Sequence, residues 1–315
     1  MIGGGRWARI VLGEAIKLSN ENLSITVVSD KNFLFMKDWI RKKFTDSNIC
    51  VIKRIPDVLG ENSFIYVLNE TALRYETLTK VSKHEVPVLV EKPLGLNYDV
   101  AENIISVYKN KKVPLMSAQV FRFLESTSIM KDILEKYVFQ SILLCWADPY
   151  SEVKPRDIKK YEKLVPPFLD ILPHVFSLLE EIIGEFDVSY TSIIFNNIEK
   201  DFCLGLRINS SFDLEIKYSR IAPVRARNIE FFAQSGSVKY DFSENETITK
   251  FEGSRQILYN QYKKSQSIQL MLKRFLSYWE SGIMDTKFSH KTNILALQIS
   301  QDIQNSLNSN STYKP

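Results

Sequence analysis

The run Val88-Leu-Val-Glu-Lys-Pro-Leu94 puts an acid, a lysine and a proline directly after three apolar residues that read as a buried strand. In an open parallel sheet, ligands bind beyond the carboxyl ends of the strands. Lys92 then stands at the mouth of a cleft, and Pro93 restricts it to extended geometry. A strand followed by a charged turn accounts for the same residues, so the rest of the chain must decide. Two other groupings have chemical spacing. Gly3, Gly5 and Ala8 fit G-x-G-x-x-G/A, with a tight turn at Gly3, close backbone approach to a pyrophosphate at Gly5 and helix–strand packing at Ala8. A loose glycine-rich terminus is the competing reading. Asp170 and His174 are four apart, one above the other on a helix face. A histidine titrates near neutral pH, yet one inside the apolar run Phe168 to Leu179 is also how a satisfied core residue looks. Pro173 is tolerated in a helix's first turn, which makes Asp170 a candidate N-cap as well.

The elements that must position these groups alternate. A helix over Arg6 to Leu18 is followed by strand 24–28, which ends in Ser29-Asp30-Lys31 where the adenosine ribose would lie. Asp30 suits a 2′-hydroxyl; Ser29 and Lys31 suit a 2′-phosphate, and NADP is slightly preferred over NAD. Helix 33–44, strands 49–52 and 63–68, helix 71–83, strand 86–90, helix 97–108 with Asn97 as N-cap, and strand 113–116 complete a doubly wound α/β pattern. Asn69 and Glu70 follow the strand at 63–68. The strand before Gly3 has only Met1 and Ile2, so it is stunted or the start lies upstream. After a junction near 120–125 the pattern changes. A helix (126–136), a strand (139–146), a long polar stretch (148–167) and a helix (168–183) lead into six consecutive strands between 187 and 251, then helices 267–279 and 293–307. The expected fold is a Rossmann doubly wound parallel sheet over residues 1–121, then an α+β domain with a large, mostly antiparallel sheet over 122–315.

Composition excludes several classes. The 315 residues are 44% hydrophobic and 25% charged with a net charge of +4, as in ordinary globular chains. No basic run proposes nucleic acid, and no apolar run reaches the roughly 18 residues of a membrane span. Cys50, Cys145 and Cys203 are scattered without metal spacing, so no metal is expected and reduced, buried thiols in a cytoplasm are the default.

Glu91-Lys92-Pro93, Asp170-x-x-x-His174 and Gly3-Gly-Gly-Arg6-Trp7-Ala8, in that architectural context, resemble the glucose–fructose oxidoreductase / inositol dehydrogenase / MocA family. The resemblance covers most of the first 185 residues. It implies an NAD(P)-dependent dehydrogenase or reductase acting on a hydroxyl/carbonyl carbon of a polar, sugar-like metabolite. Lys92 would sit beside the nicotinamide, with His174 and Asp170 against the substrate. Gly3, Gly5, Arg6, Trp7, Ser29, Asp30, Lys31, Asn69, Glu91 and Arg122 would contact or hold the cofactor; Arg122 reads equally as a junction ion-pair residue. His84 and His290 read as surface residues. Leu164-Val-Pro-Pro-Phe168 and Ser177 depart from the family pattern on the substrate side. The polar stretch offers Tyr150, Lys154 and Tyr161 as substrate contacts or as a solvated loop. A C=N (imine or thiazoline) reductase and a non-catalytic dinucleotide-responsive binding protein are the alternatives. The outer face of the second sheet is expected to make a homo-oligomer, a dimer or tetramer, as it often does in that family.

Overall fold

The structure is a computed structural model. It describes all residues except 19–22, 46–47, 61, 150–152, 155–156, 159–160, 198–199, 243, 245, 252–253, 260–263 and 310–315. The chain divides into two units. The first comprises Met1–Val120, Tyr161–Val165 and Ile268–Ile294; the second comprises Phe121–Lys160, Pro166–Ser267 and Leu295–Pro315.

In the first unit the elements run α1 (Arg6–Leu18), β1 (Ile25–Val28), α2 (Phe33–Lys43), β2 (Ile49–Ile52), β3 (Ile65–Val67), α3 (Arg74–Val81), β4 (Val88–Glu91), α4 (Tyr98–Asn110) and β5 (Leu115–Ala118). β3, β4 and β5 are buried at every position, as continuous apolar runs in a covered parallel sheet should be. Asn97 caps α4 through its side-chain oxygen, 2.9 Å from the Val100 N–H. Ahead of Gly3, one residue takes the place of a strand between β1 and β3. It is Ile2, which forms parallel bridges with Val28 of β1 on one side and Val67 of β3 on the other. Its N–H donates to Tyr66 at 2.8 Å and its carbonyl accepts from Leu68 at 2.7 Å. The order across the unit is therefore β2-β1-Ile2-β3-β4-β5, reversing direction at Ile2.

The second unit begins with α5 (Ser126–Leu134), β6 (Phe139–Pro149) and a small hairpin, β7 (Val153–Lys154) with β8 (Asp157–Ile158), inside the polar stretch that the sequence left without structure. Then come α6 (Pro167–Ile183), β9 (Val188–Asn197), β10 (Asp201–Ile208), β11 (Phe212–Ala222), β12 (Ala226–Ala233), β13 (Gly236–Asp241), β14 (Glu246–Phe251) and an unforeseen β15 (Ser254–Tyr259). These strands and β6 make one sheet in the order β15-β14-β13-β12-β6-β11-β10-β9, antiparallel except for β6 with β11. Alternation sends Ile142, Leu144 and Trp146 of β6 and Leu214, Ile216 and Tyr218 of β11 to a buried face. Glu215 and Lys217 point to the other, open face. α7 (Lys264–Ser281) and α8 (Lys291–Ser309) end the chain, and each begins in one unit and finishes in the other. No helix among the described residues is long and apolar enough to cross a membrane.

Three expectations fail. Cys50 is exposed and Cys145 and Cys203 are half-buried, because each lies at an outward position of a strand. His290 is no surface residue: its Nε2 lies 2.8 Å from the Leu115 carbonyl and its Nδ1 2.6 Å from Ser117 Oγ. Pro173 is not in the first turn, since α6 starts at Pro167, whose missing N–H costs nothing at N1. Asp170 therefore lies one turn inside the helix, its N–H bonded to the Pro166 carbonyl at 3.0 Å, and is not the cap. An interior proline costs about 3 kcal/mol. The helix bears it because nine aliphatic and phenyl side chains between Phe168 and Ile182 are buried.

Candidate active site

In the first unit the site is built where strands end. Gly3 has φ of +139°, and a Cβ there would lie 2.8 Å from the Leu68 backbone. A Cβ on Gly4 would collide with the Ser29 side chain, and Ser29 is itself buried. Gly5 faces open space, with nothing within 4 Å of a would-be Cβ. Behind it Ala8 is buried at 1% exposure, so α1 sits close against the sheet. The N–H groups of the first turn of α1 lack helical partners, as at every helix start, and suit an anion. Asp30 and Lys31 are exposed beyond β1, and Lys31 lies 3.8 Å from Glu70.

At the end of β3, Asn69 donates from Nδ2 to Thr77 Oγ1 at 2.7 Å, while its Oδ1 is buried without a protein partner. At the end of β4, Glu91 is 8% exposed and one carboxylate oxygen takes two donors, the Trp7 indole N–H at 2.6 Å and the Tyr66 hydroxyl. Burial and the neighbouring carboxylate push the Tyr66 phenol well above its ordinary range, so it stays a donor. Trp7 thereby ties the glycine turn to the residue before Lys92. Arg74, 3% exposed, bonds the carbonyls of Pro93 and, at 3.1 Å, Asn69, clamping the ends of β3 and β4 together. Lys92 is half-buried just past this clamp.

The residues fit a dinucleotide: a glycine cradle open only at Gly5, a helix start beside it, and an unmatched buried acceptor at Asn69. The motif spacing located the cradle. Arg74 and Glu162, whose carboxylate accepts from the Thr71 N–H at 2.7 Å, escaped it. A buried arginine near a strand end is legible only once its burial is known.

In the second unit α6 is buried almost all round, and Asp170 and His174 are half-open positions one turn apart. Beneath them Arg227, Trp146 and Tyr218 are register partners on β12, β6 and β11. The His174 ring lies nearly parallel to the Trp146 indole (12°, 6.1 Å between centroids), with Phe121 edge-on at 4.7 Å. Asp170 accepts from Arg220 at 3.1 Å, and Arg220 also donates to the Tyr218 hydroxyl at 2.7 Å. Arg122 is 3% exposed and paired with Glu180 of α6. Sequence reasoning missed Trp146, Asp148, Arg220 and Arg227. For Asp148 beside Trp146 and Arg220 beside Tyr218 the signal was a charged residue two positions from an aromatic on a strand's core face, where a charge must find a partner; Arg227 has no aromatic at that spacing and gave no such signal. Tyr161 is half-buried. Tyr150 and the side chain of Lys154 lie outside the described residues. Among the described residues no group of three or more His, Cys, Asp or Glu is placed to hold a metal.

No protein-family model matches the sequence, and no curated protein matches it. Solved structures do. UDP-N-acetylglucosamine 3-dehydrogenase GnnA from Acidithiobacillus ferrooxidans is 14% identical with a TM-score of 0.75, covering 97% of this chain and 95% of its own. KijD10, a 3-ketoreductase from Actinomadura kijaniata in complex with NADP and TDP-benzene, is 15% identical with a TM-score of 0.77, covering 95% and 94%. An inositol dehydrogenase homologue from Azotobacter vinelandii, complexed with NADH and myo-inositol, is 10% identical with a TM-score of 0.65, covering 78% and 76%. At such identities the likeness establishes the fold: a Rossmann-type unit joined to a large, mostly antiparallel sheet.

Proposed function

We propose that this chain is an NAD(P)-dependent oxidoreductase that exchanges hydride between a nicotinamide and a hydroxyl/carbonyl carbon of a polar, sugar-like metabolite. The observation that carries it is the reversal of strand order at Ile2, with Gly5, Ser29 and Asn69 all following neighbouring strand ends there. When bound, the cofactor supplies or accepts the hydride. The chain does the rest. The α1 start and Gly5 hold the pyrophosphate; Ser29, Asp30 and Lys31 meet the ribose, with NADP slightly preferred; Asn69 offers its unmatched oxygen to a ligand donor. Lys92 places an ammonium against oxygen that gains negative charge. His174 gives or takes the accompanying proton, a role worth typically 10²–10⁴-fold. Arg220 fixes the Asp170 carboxylate beneath it.

The three neighbours named above are described with a nucleotide sugar, a TDP compound and an inositol, which supports a polyol-like substrate here. Tyr150, Lys154 and Tyr161 are its proposed contacts. A homo-oligomer through the open face of the eight-stranded sheet and a cytoplasmic location belong to the same reading. Fluorescence titration with NADH and NADPH, then a screen of sugar, inositol and cyclic-imine substrates with the tighter one, tests it. Binding of neither at submillimolar concentration ends the proposal. Turnover of imines with none of carbonyls replaces its substrate half, and a monomer in sedimentation at micromolar concentration removes its oligomer.

A further inference from the structure

Asp148 is 1% exposed, on the core face of β6 two residues beyond Trp146. Both Nε and Nη2 of Arg227 donate to its Oδ1, the first at 2.9 Å, and Arg225 approaches within 3.9 Å. With the Asp148 carboxylate buried and the Arg227 side chain only 20% exposed, the pair is a poor source of stability, because desolvation offsets the attraction of the charges. Something other than stability is needed to explain this one. Its geometry gives the reason. The Arg227 guanidinium lies over the Trp146 ring at 4.4 Å, and the same indole lies parallel to the imidazole of His174. Phe121 and Phe242, each under 6 Å from Trp146, hold that indole from other directions. The chain of contacts runs from carboxylate to guanidinium to indole to imidazole inside one unit.

We infer that Asp148 and Arg227 are positioning residues for His174, acting through the Trp146 indole. The pair fixes the plane of the indole, and the indole fixes the plane of the imidazole. The inference rests on His174 as the proton-transfer group. The charged groups around the ring are Asp148, Arg225 and Arg227 from the sheet, Asp170 with Arg220 one turn back on α6, and the Arg122–Glu180 pair further along it. The two separations put the guanidinium no more than about 10 Å from the imidazole, close enough for a single lost charge to move its titration by at least about 0.5 unit.

The test is titration of the whole protein labelled at histidine Cε1, read by NMR. Three histidines are present, and His174→Asn assigns the relevant signal. Arg227→Met removes a positive charge and should raise the His174 pKa, and Asp148→Asn should lower it; the double variant D148N/R227M removes the pair without changing net charge, and its His174–Phe121 nuclear Overhauser contacts should weaken at least about twofold because the indole is no longer held, unchanged contacts there overturning the inference. Simple loosening of the fold would instead move every variant in the same direction. Shifts in one common direction, or none in either single variant, overturn the inference. If the single variants do not fold, Trp146→Leu leaves the ion pair and removes the shelf. His174–Phe121 nuclear Overhauser contacts should then weaken at least about twofold, and unchanged contacts overturn the inference. No substrate is needed, so a chain that turns over nothing would end the oxidoreductase proposal by itself and leave this measurement interpretable.

Discussion

Lowering the pH should destabilise the first unit through His290. Burial pushes this imidazole down to about 4, although the Leu115 carbonyl pulls the other way by favouring the charged ring. Nε2 donates to that carbonyl, so Nδ1 is the acceptor for the Ser117 hydroxyl, and the native ring is neutral. In the unfolded chain it titrates near 6.5. The sign follows. Above about pH 6.5 neither state holds the proton and the full contribution is present. Between about 6.5 and 4 the unfolded chain binds a proton that the native one excludes, so stability falls as the pH falls. The whole gap is worth roughly 3 kcal/mol, lost by about pH 4. Urea denaturation of wild type and His290→Gln at several pH values between about 7.5 and 4.5 isolates the effect, because carboxylate titrations cancel in the difference. Wild type should lose about 2–3 kcal/mol relative to the variant across that range. A difference that is flat with pH, or a wild type that gains on acidification, would refute the buried neutral ring.

Trp7→Phe removes one of two donors to the Glu91 carboxylate and should cost about 1.5–3 kcal/mol in equilibrium unfolding. The double variant with Tyr66→Phe should cost more than the sum, since the buried charge then loses both donors. Gly3→Ala should destabilise by over about 1 kcal/mol, as its φ of +139° and the Leu68 backbone both oppose a Cβ. Gly5→Asp should leave thermal stability within about 0.5 kcal/mol and weaken dinucleotide binding at least about tenfold, because its side chain enters open space beside the phosphate position. Arg220→Met frees Asp170 from its 3.1 Å partner and should lower kcat more than it raises KM, checked by steady-state kinetics once a substrate is in hand.

The first unit was legible because its signals are local. Alternating strands and helices, a cap at Asn97 and glycines at fixed offsets each depend on residues within a few positions, and α1 falls over the same Arg6–Leu18 that its periodicity marks. The misses share a cause, which is dependence on distant partners. His290 looked solvated because its own neighbours are polar; what buries it is β5, over 170 residues earlier. Pro173 looked like a first-turn residue because propensity cannot show that α6 is surrounded by apolar neighbours able to offset a broken hydrogen bond. β15 was hidden because its edge position demands little apolar alternation of Ser254–Tyr259. The motifs named Lys92, Asp170 and His174. The residues that hold two of these side chains in place, Arg220 and Trp146, carry no motif.

That distinction bears on how arginines should be read in such a chain. Arg74 and Arg122 are buried, Arg220 and Arg227 are half-buried, and each occupies a different situation. Arg74 bonds two backbone carbonyls, so it fixes where two strands end. Arg122 neutralises Glu180 on a turn of α6 well past His174, an arrangement whose removal would leave a buried charge and cost about 3–5 kcal/mol. Arg220 and Arg227 face carboxylates that lie beside the imidazole-bearing stretch of the helix or under its aromatic shelf. Taking two guanidiniums fully and two partly out of water is expensive, and apolar side chains would stabilise the same positions as well or better. Where the partner is another side chain far from any open position, architecture suffices as the reason. Where the partner is Asp170, one of the few half-open residues on an otherwise buried helix, or Asp148, linked to His174 through Arg227 and Trp146, the proposed proton transfer supplies a further reason for the cost, which is to hold those groups still.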